Sequence, residues 1–208
     1  MIRHVLFDLD NTLYSASWGL DDFYFQRVWE FAASWLKLPP EEVKQIWTEG
    51  YTRHGTTIGW LKSERGFNDI EEYYAWVHPE HEADCLLPDP QLRAFLESLP
   101  YPSSILTNSP RFHADRILKK LELEGVFCQI ISIEDTGYYG KPEAAAYQHA
   151  LDALGLKPEE VLFIDDTPRY VQGYLAMGGR GLLIDENDKH GNFPHERIKT
   201  LKEIERFL

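Results

Sequence analysis

Two carboxylates one residue apart, Asp8 and Asp10, follow the short apolar run His4-Val5-Leu6-Phe7. At the end of a strand such a pair can serve as nucleophile, as acid or base, or as ligands to a hard cation; taken alone, Asp-x-Asp is equally a turn or capping feature. Three further groups follow. Thr107 and Asn108 close the run Ser104-Ile105-Leu106, where a hydroxyl and an amide, with the first amides of a following helix, can donate to phosphate oxygens; alone they make an ordinary N-cap. Lys141, in Gly140-Lys141-Pro142-Glu143, stands at a predicted helix N-terminus, where the macrodipole disfavours a cation. A nearby anion explains it, as does a solvated loop. Asp165 and Asp166 close Val161-Leu162-Phe163-Ile164, and adjacent like charges are costly unless a cation relieves them. Mg²⁺ takes one or two carboxylates together with phosphate oxygens and water, and Asp8, Asp10 and Asp166 could supply the protein's share.

The elements that must position these groups are legible as buried strands alternating with helices. The runs at 4–7, 104–106, 129–133, 161–164 and 181–184 are apolar without alternation, as expected for strands covered on both faces of a parallel sheet. Helical patterns at about 110–121, 142–154 and 168–177 separate them, the second opening on Pro142 and stopping at Gly155. The pattern predicts an α/β fold: a Rossmann-like, doubly wound, mostly parallel sheet. Between the first and second strands, residues 17–85 contain amphipathic helical patterns such as Phe23-Val28-Phe31-Ala32-Trp35 and no convincing strand. This predicts a core domain of residues 1–16 and 86–208 with a small helical cap, 17–85, inserted after strand one. Ligands of open α/β sheets bind outside the carboxyl ends of the strands, so such a cap would lie over the site. The tail from Arg197 to Leu208 reads as a final surface helix.

Length and composition narrow the function classes. At 208 residues the chain suits one domain with an insertion, and 43% apolar with 26% charged residues is ordinary for a globular protein. A net charge of −13 argues against a nucleic-acid polymer, whose binding depends on cationic side chains displacing counterions. Cys85 and Cys128 form no Cys-x-x-Cys pattern, so neither a disulfide framework nor a zinc site is indicated, and a reducing cytoplasm fits. The apolar stretch after Met1 is too short for a secretion signal, and no run reaches the roughly 20 residues of a membrane span. The expectation is a soluble cytoplasmic monomer or homodimer, and a small phosphorylated metabolite is compatible with that charge where local cations or a metal offset it.

The four groups, in this order and with a helical insertion after the first, resemble the four motifs of the haloacid dehalogenase-like hydrolase superfamily across nearly the whole chain. The resemblance implies that Asp8 attacks phosphorus, that Asp10 protonates the leaving oxygen and then activates water, and that Thr107, Asn108 and Lys141 bind the phosphoryl group. It also implies Mg²⁺ held by Asp8, Asp10 (through its carbonyl), Asp166 and, through water, Asp165. The implied activity is a phosphomonoesterase working through an aspartyl-phosphate. Dehalogenases of the superfamily usually lack an acid at the position of Asp10. A narrower resemblance is to the pyrimidine 5′-nucleotidase-like branch, carried by Asp8 to Tyr14, by Tyr51-Thr52-Arg53-His54-Gly55-Thr56-Thr57, by Val77-His78-Pro79 ahead of Leu86-Leu87-Pro88-Asp89, and by the spacing of Thr107-Asn108-Ser109 to His113-Ala114. It implies a nucleoside 5′-monophosphate substrate, with Arg53, His54 and Thr56 as cap contacts. This chain departs from the pattern in its extra Arg-His pair.

Several features read as ordinary structure. His78 and His81 flank Pro79 and read as a solvated loop rather than a metal site. The aromatics Tyr14, Trp18, Phe23, Tyr24, Phe25, Trp29 and Trp35 read mainly as core, with one or two free to stack a base. Gly178-Gly179-Arg180-Gly181 precedes a strand and is a turn, not a dinucleotide fingerprint. Rival functions are phosphoglycolate or sugar-phosphate hydrolysis or a phosphomutase on the same scaffold, and a binding protein that has lost turnover.

Overall fold

The computed structural model describes all residues, Met1–Leu208. In chain order the elements are β1 (His4–Phe7), α1 (Leu20–Leu36), α2 (Pro40–His54), α3 (Thr57–Arg65), α4 (Ile70–Val77), α5 (Pro90–Glu97), β2 (Ser103–Leu106), α6 (Arg111–Lys120), β3 (Ile130–Ile131), α7 (Ala144–Leu154), β4 (Val161–Asp165), α8 (Pro168–Ala176), β5 (Arg180–Ile184) and β6 (Arg197–Ile198), with short 3₁₀ turns between and after them. The chain divides into two compact units, Met1–Ala16 with Leu86–Leu208, and Ser17–Cys85. No helix is long and apolar enough to cross a membrane.

The first unit is built on one six-stranded parallel sheet in the order β3-β2-β1-β4-β5-β6. The strands β1, β2 and β4 are buried along their whole length, which explains their non-alternating runs, in which the only polar members are the buried His4, Ser103, Ser104 and Asp165. Phe7 lies beside Ile105 on one side and Ile164 on the other, so the residues leaving β1, β2 and β4 emerge along one edge of the sheet. The order of strand addition reverses at β1, and this is where an open α/β sheet forms its crevice. The core beneath it packs Leu6, Leu106 and Phe163 from the sheet against Tyr147, Ala150 and Leu151 of α7 and Tyr170 and Tyr174 of α8. Burial of each such large side chain contributes about 1.5–3 kcal/mol.

Three expectations for this unit need correction. The third strand is only Ile130–Ile131, at the sheet edge, rather than 129–133. The helix predicted from Pro142 starts at Ala144, with Glu143 as its N-cap, because Pro142 belongs to the turn that delivers Lys141 and follows it through a cis peptide bond. The tail is not an α-helix: Arg197–Ile198 adds a sixth strand beside β5, and Leu201–Phe207 is 3₁₀, opened by a Thr200–Glu203 capping box. The sheet edge competes for that backbone and wins.

The second unit is a group of four helices. Helix α1 buries Leu20, Val28, Phe31 and Ala32 on one face; of the stripe expected there, Phe23 is only half-buried and Trp35 is exposed. Trp60 of α3 is wholly buried against Gly50 of α2; a Cβ at Gly50 would fall 2.2 Å from the indole, so this crossing needs glycine. Phe25, Trp29 and Trp47 pack edge-on or stacked at 5.5–6.2 Å, mutual packing of the kind expected of most cap aromatics. His78 is not in a solvated loop: it is buried, its Nδ1 lies 2.7 Å from Glu82 Oε2, and Tyr24 stacks on its ring at 5.1 Å.

Candidate active site

Asp8 leaves β1 with its backbone N–H still donating to Ile164 O at 2.8 Å, so its position is set by the sheet. Its Oδ1 accepts from the Leu9 N–H at 2.7 Å and lies 2.8 Å from Lys141 Nζ, which leaves Oδ2 available. Lys141 is wholly buried, and its Nζ also donates to Asp165 Oδ2 at 2.7 Å. The rings of Phe163 and Tyr170 lie 5.4 and 5.3 Å from the same ammonium. Asp165 is the last residue of β4, and its Oδ1 takes the Thr167 N–H at 2.8 Å, so both of its oxygens are engaged. Ligand atoms of Asp8, Asp165 and Asp166 all fall within 4.8 Å of one another.

These distances put two carboxylates on one ammonium, with a third carboxylate beside them. Burial, then the neighbouring Asp165, pushes the Asp8 carboxyl well above its ordinary range despite the opposing pull of Lys141. Burial works against the Lys141 charge, but Asp165 and Asp8 outweigh it and hold the ammonium protonated. The donors of the cluster are hard carboxylate oxygens, which suit Mg²⁺ rather than a soft metal.

The segment after β2 does two jobs. The Thr107 hydroxyl, almost fully buried, accepts from the Ser109 N–H at 3.0 Å and keeps its own proton to donate. Asn108, expected to contact phosphate with its side chain, grips the backbone of Lys141: its Nδ2 donates to Lys141 O at 3.0 Å and its Oδ1 accepts from Lys141 N at 2.7 Å. Below the same turn, Gly173 of α8 gives Pro142 room; a Cβ there would meet Pro142 and the Tyr147 hydroxyl at 3.0 Å. Asn108→Ala is therefore expected to lower kcat about tenfold, because a small displacement of a charged group at the reacting centre is costly. It should also destabilise the fold by about 1–3 kcal/mol by leaving two backbone groups unpaired. Steady-state rates and thermal melts measure both.

Asp10 is separate from that cluster. Its Oδ1 accepts from the Tyr14 hydroxyl at 2.7 Å and lies 2.9 Å from His113 Nε2, and its Oδ2 accepts from the Ser109 hydroxyl at 2.7 Å. Burial works upward on this carboxyl, but His113 and the three hydrogen bonds outweigh it and hold the group well below the ordinary carboxylate range. None of these three partners is given a role toward Asp10 in the sequence reading, although Tyr14 belongs to the quoted Asp8–Tyr14 motif and Ser109 and His113 to the quoted spacing. The available signal is His113 itself, a titratable residue on the otherwise apolar buried stripe Ala114, Ile117 and Leu118 of α6.

The residues expected as cap contacts lie in the second unit. Arg53 is paired with Glu64 at 2.8 and 2.9 Å, and His54 Nε2 lies 2.8 Å from the same Glu64. The hydrogen bonds from Arg53 and His54 pull Glu64 down to about 2. Thr56 is the N-cap of α3, its hydroxyl accepting from the Gly59 N–H at 3.0 Å.

The parallel sheet places a buried carboxylate after β1 and a carboxylate pair at the end of β4, and the turn before α7 adds a buried lysine between them. The chain belongs to the haloacid dehalogenase-like hydrolase family, whose model matches residues 2–178. Among curated relatives it is 24% identical over 218 residues to a phosphorylated carbohydrates phosphatase of Thermotoga maritima, covering 96% of this chain and 98% of the relative. Among solved structures it resembles the HAD-hydrolase YfnB of Bacillus subtilis, bound to magnesium, with a TM-score of 0.67, 19% identity and coverage of 100% and 98%. It also resembles the L-2-haloacid dehalogenase of Xanthobacter autotrophicus, with a TM-score of 0.64, 18% identity and coverage of 100% and 98%.

Proposed function

We propose that the protein is a Mg²⁺-dependent phosphomonoesterase acting on a small phosphorylated metabolite through an aspartyl-phosphate. The observation that carries this reading is the Asp8–Lys141–Asp165 arrangement, with Asp166 beside it and a separate, hydrogen-bonded Asp10. Asp8 Oδ2 forms the bond to phosphorus as the bond to the leaving oxygen breaks, and Asp10 gives that oxygen its proton. Water then attacks the aspartyl-phosphate, with Asp10 taking the proton, and Asp8 is restored. Lys141 and the Thr107 hydroxyl hold the phosphoryl oxygens. Asp8 and Asp166 would hold Mg²⁺, with Asp165, whose two oxygens are engaged by Lys141 and the Thr167 N–H, beside them. Bound there, Mg²⁺ supplies the positive charge that lets a dianionic phosphate approach a carboxylate.

The carboxylate of Asp10 favours phosphorus over carbon as the atom attacked, since halide departs without a proton. Among substrates, a nucleoside 5′-monophosphate is supported by the motif resemblance at Asp8–Tyr14 and Tyr51–Thr57. A phosphorylated carbohydrate is supported by the Thermotoga relative. The test is phosphate release from nucleoside monophosphates, sugar phosphates, phosphoglycolate and an aryl phosphate, with Mg²⁺ and with chelator. Turnover that needs Mg²⁺ and is fastest on one ester class is expected. Undiminished turnover in chelator, or release of halide from a 2-haloacid with no phosphatase activity, would sink the reading.

A further inference from the structure

The hydrogen bonds at Asp10 assign work to three residues outside the reacting centre. A carboxylate on a loop ordinarily rotates among several rotamers and is solvated. Here both oxygens are fixed by donors that converge from two segments: Tyr14, four residues along the loop after β1, and Ser109 with His113, from the turn after β2 and the first turn of α6. The partners are themselves immobile, since His113 and Tyr14 are buried. The Asp10 side chain retains 24% exposure, so the group that is held is also reachable. Three donors favour the carboxylate in the free protein, so the proton Asp10 passes on is one it takes up once the anionic ester is bound, and the fixed heavy-atom positions set where that proton is delivered.

Resting on the phosphatase reading, we propose that Tyr14, Ser109 and His113 are positioning residues that orient the Asp10 carboxyl toward the leaving oxygen, so that the turn after β2 sets both ends of the reaction. Asn108 fixes Lys141 on the phosphoryl side, while Ser109 and His113 fix Asp10 on the leaving-group side. The consequence is specific to leaving-group chemistry. An ester whose alcohol departs poorly depends on a well-aimed proton, and one whose alcohol departs as a stable anion depends on it far less.

The experiment compares kcat/KM, which reports steps through departure of the alcohol, for phenyl phosphate and 4-nitrophenyl phosphate with Mg²⁺. It is run on wild type, Tyr14→Phe, Ser109→Ala, His113→Ala and His113→Gln, with melting curves for each. General acid catalysis is worth roughly 10²–10⁴-fold, so Ser109→Ala and His113→Ala are expected to lose on the order of 10²-fold with phenyl phosphate. With 4-nitrophenyl phosphate the loss should be at least about tenfold smaller. His113→Gln, which keeps an N–H donor near the position of Nε2, should recover part of the phenyl phosphate rate. Equal losses on the two esters, or no loss on either, overturn the positioning role. Should His113→Ala fail to fold, Tyr14→Phe and Ser109→Ala, which remove only a hydroxyl, decide the matter. A wild type that cleaves neither ester overturns the phosphatase reading and the positioning role with it, whereas a wild type that cleaves both separates the two questions.

Discussion

Asp8→Asn is expected to abolish phosphate release, with kcat falling at least about 10³-fold, while the protein melts within a few degrees of wild type. An amide of the same shape keeps an oxygen to accept from the Leu9 N–H and from Lys141 Nζ, so the local geometry survives. What disappears is the nucleophile, and without it the route through a covalent intermediate is closed. Stability is spared for a separate reason. Asp8 is a buried carboxylate crowded by Asp165, and burial and that neighbour oppose its charge; removing the charge relieves a cost that function imposes. Phosphate release under single-turnover conditions and a thermal melt test both halves. Residual Mg²⁺-dependent activity near the wild-type rate would remove Asp8 from its role.

Lys141→Ala should fail in the opposite pattern, losing stability together with activity. The ammonium bridges Asp8 at 2.8 Å and Asp165 at 2.7 Å with no exposure to solvent. Truncating it leaves like charges buried and uncompensated, a change worth about 3–5 kcal/mol. In chelator the melting midpoint should drop on the order of 10 °C for a chain of this size. The pH dependence follows in sign. The Asp8 carboxyl already titrates above its ordinary range, and without Lys141 it titrates higher still. The folded state then binds more protons than the unfolded chain, so stability falls as pH rises above the ordinary carboxylate range and is regained toward about pH 4. A variant as stable as wild type at every pH would mean that the cluster is not electrostatically coupled as the distances indicate. Catalysis should fall by roughly 10²-fold or more through lost charge stabilisation of the transferring phosphoryl group.

The comparison between sequence and structure separates two kinds of information. Asp8, Thr107, Lys141 and Asp165 were legible because each sits just past a buried strand or beside a helix start, and the apolar runs mark those ends without reference to anything distant. The order of strands around β1 then brings them to one edge. Side-chain pairings across the fold were not legible. That Asn108 would spend its amide on Lys141 depends on a contact between residues 33 apart, and the His113–Asp10 contact spans 103. Spacing arguments work within a helix or a strand and carry nothing across such distances. The tail failed for a related reason: Arg197–Ile198 has no strand signature of its own and becomes one because β5 offers an open edge. His78 failed because Pro79 was read as a marker of exposure, although the packing of Tyr24 and Glu82 decides its burial.

The way Lys141 is held has a consequence for how tightly a substrate can bind. A lysine on the surface must surrender about 1.5–2 kcal/mol of rotamer freedom each time it engages a ligand. Here the backbone on both sides of its Cα is pinned by Asn108, the next residue rests on Gly173, and the ammonium lies over two aromatic rings. That ordering is completed when the chain folds. In the role proposed for it, the ammonium would meet an incoming phosphate already immobile, and the entropy that a mobile side chain would forfeit at each encounter would stay out of the binding equilibrium.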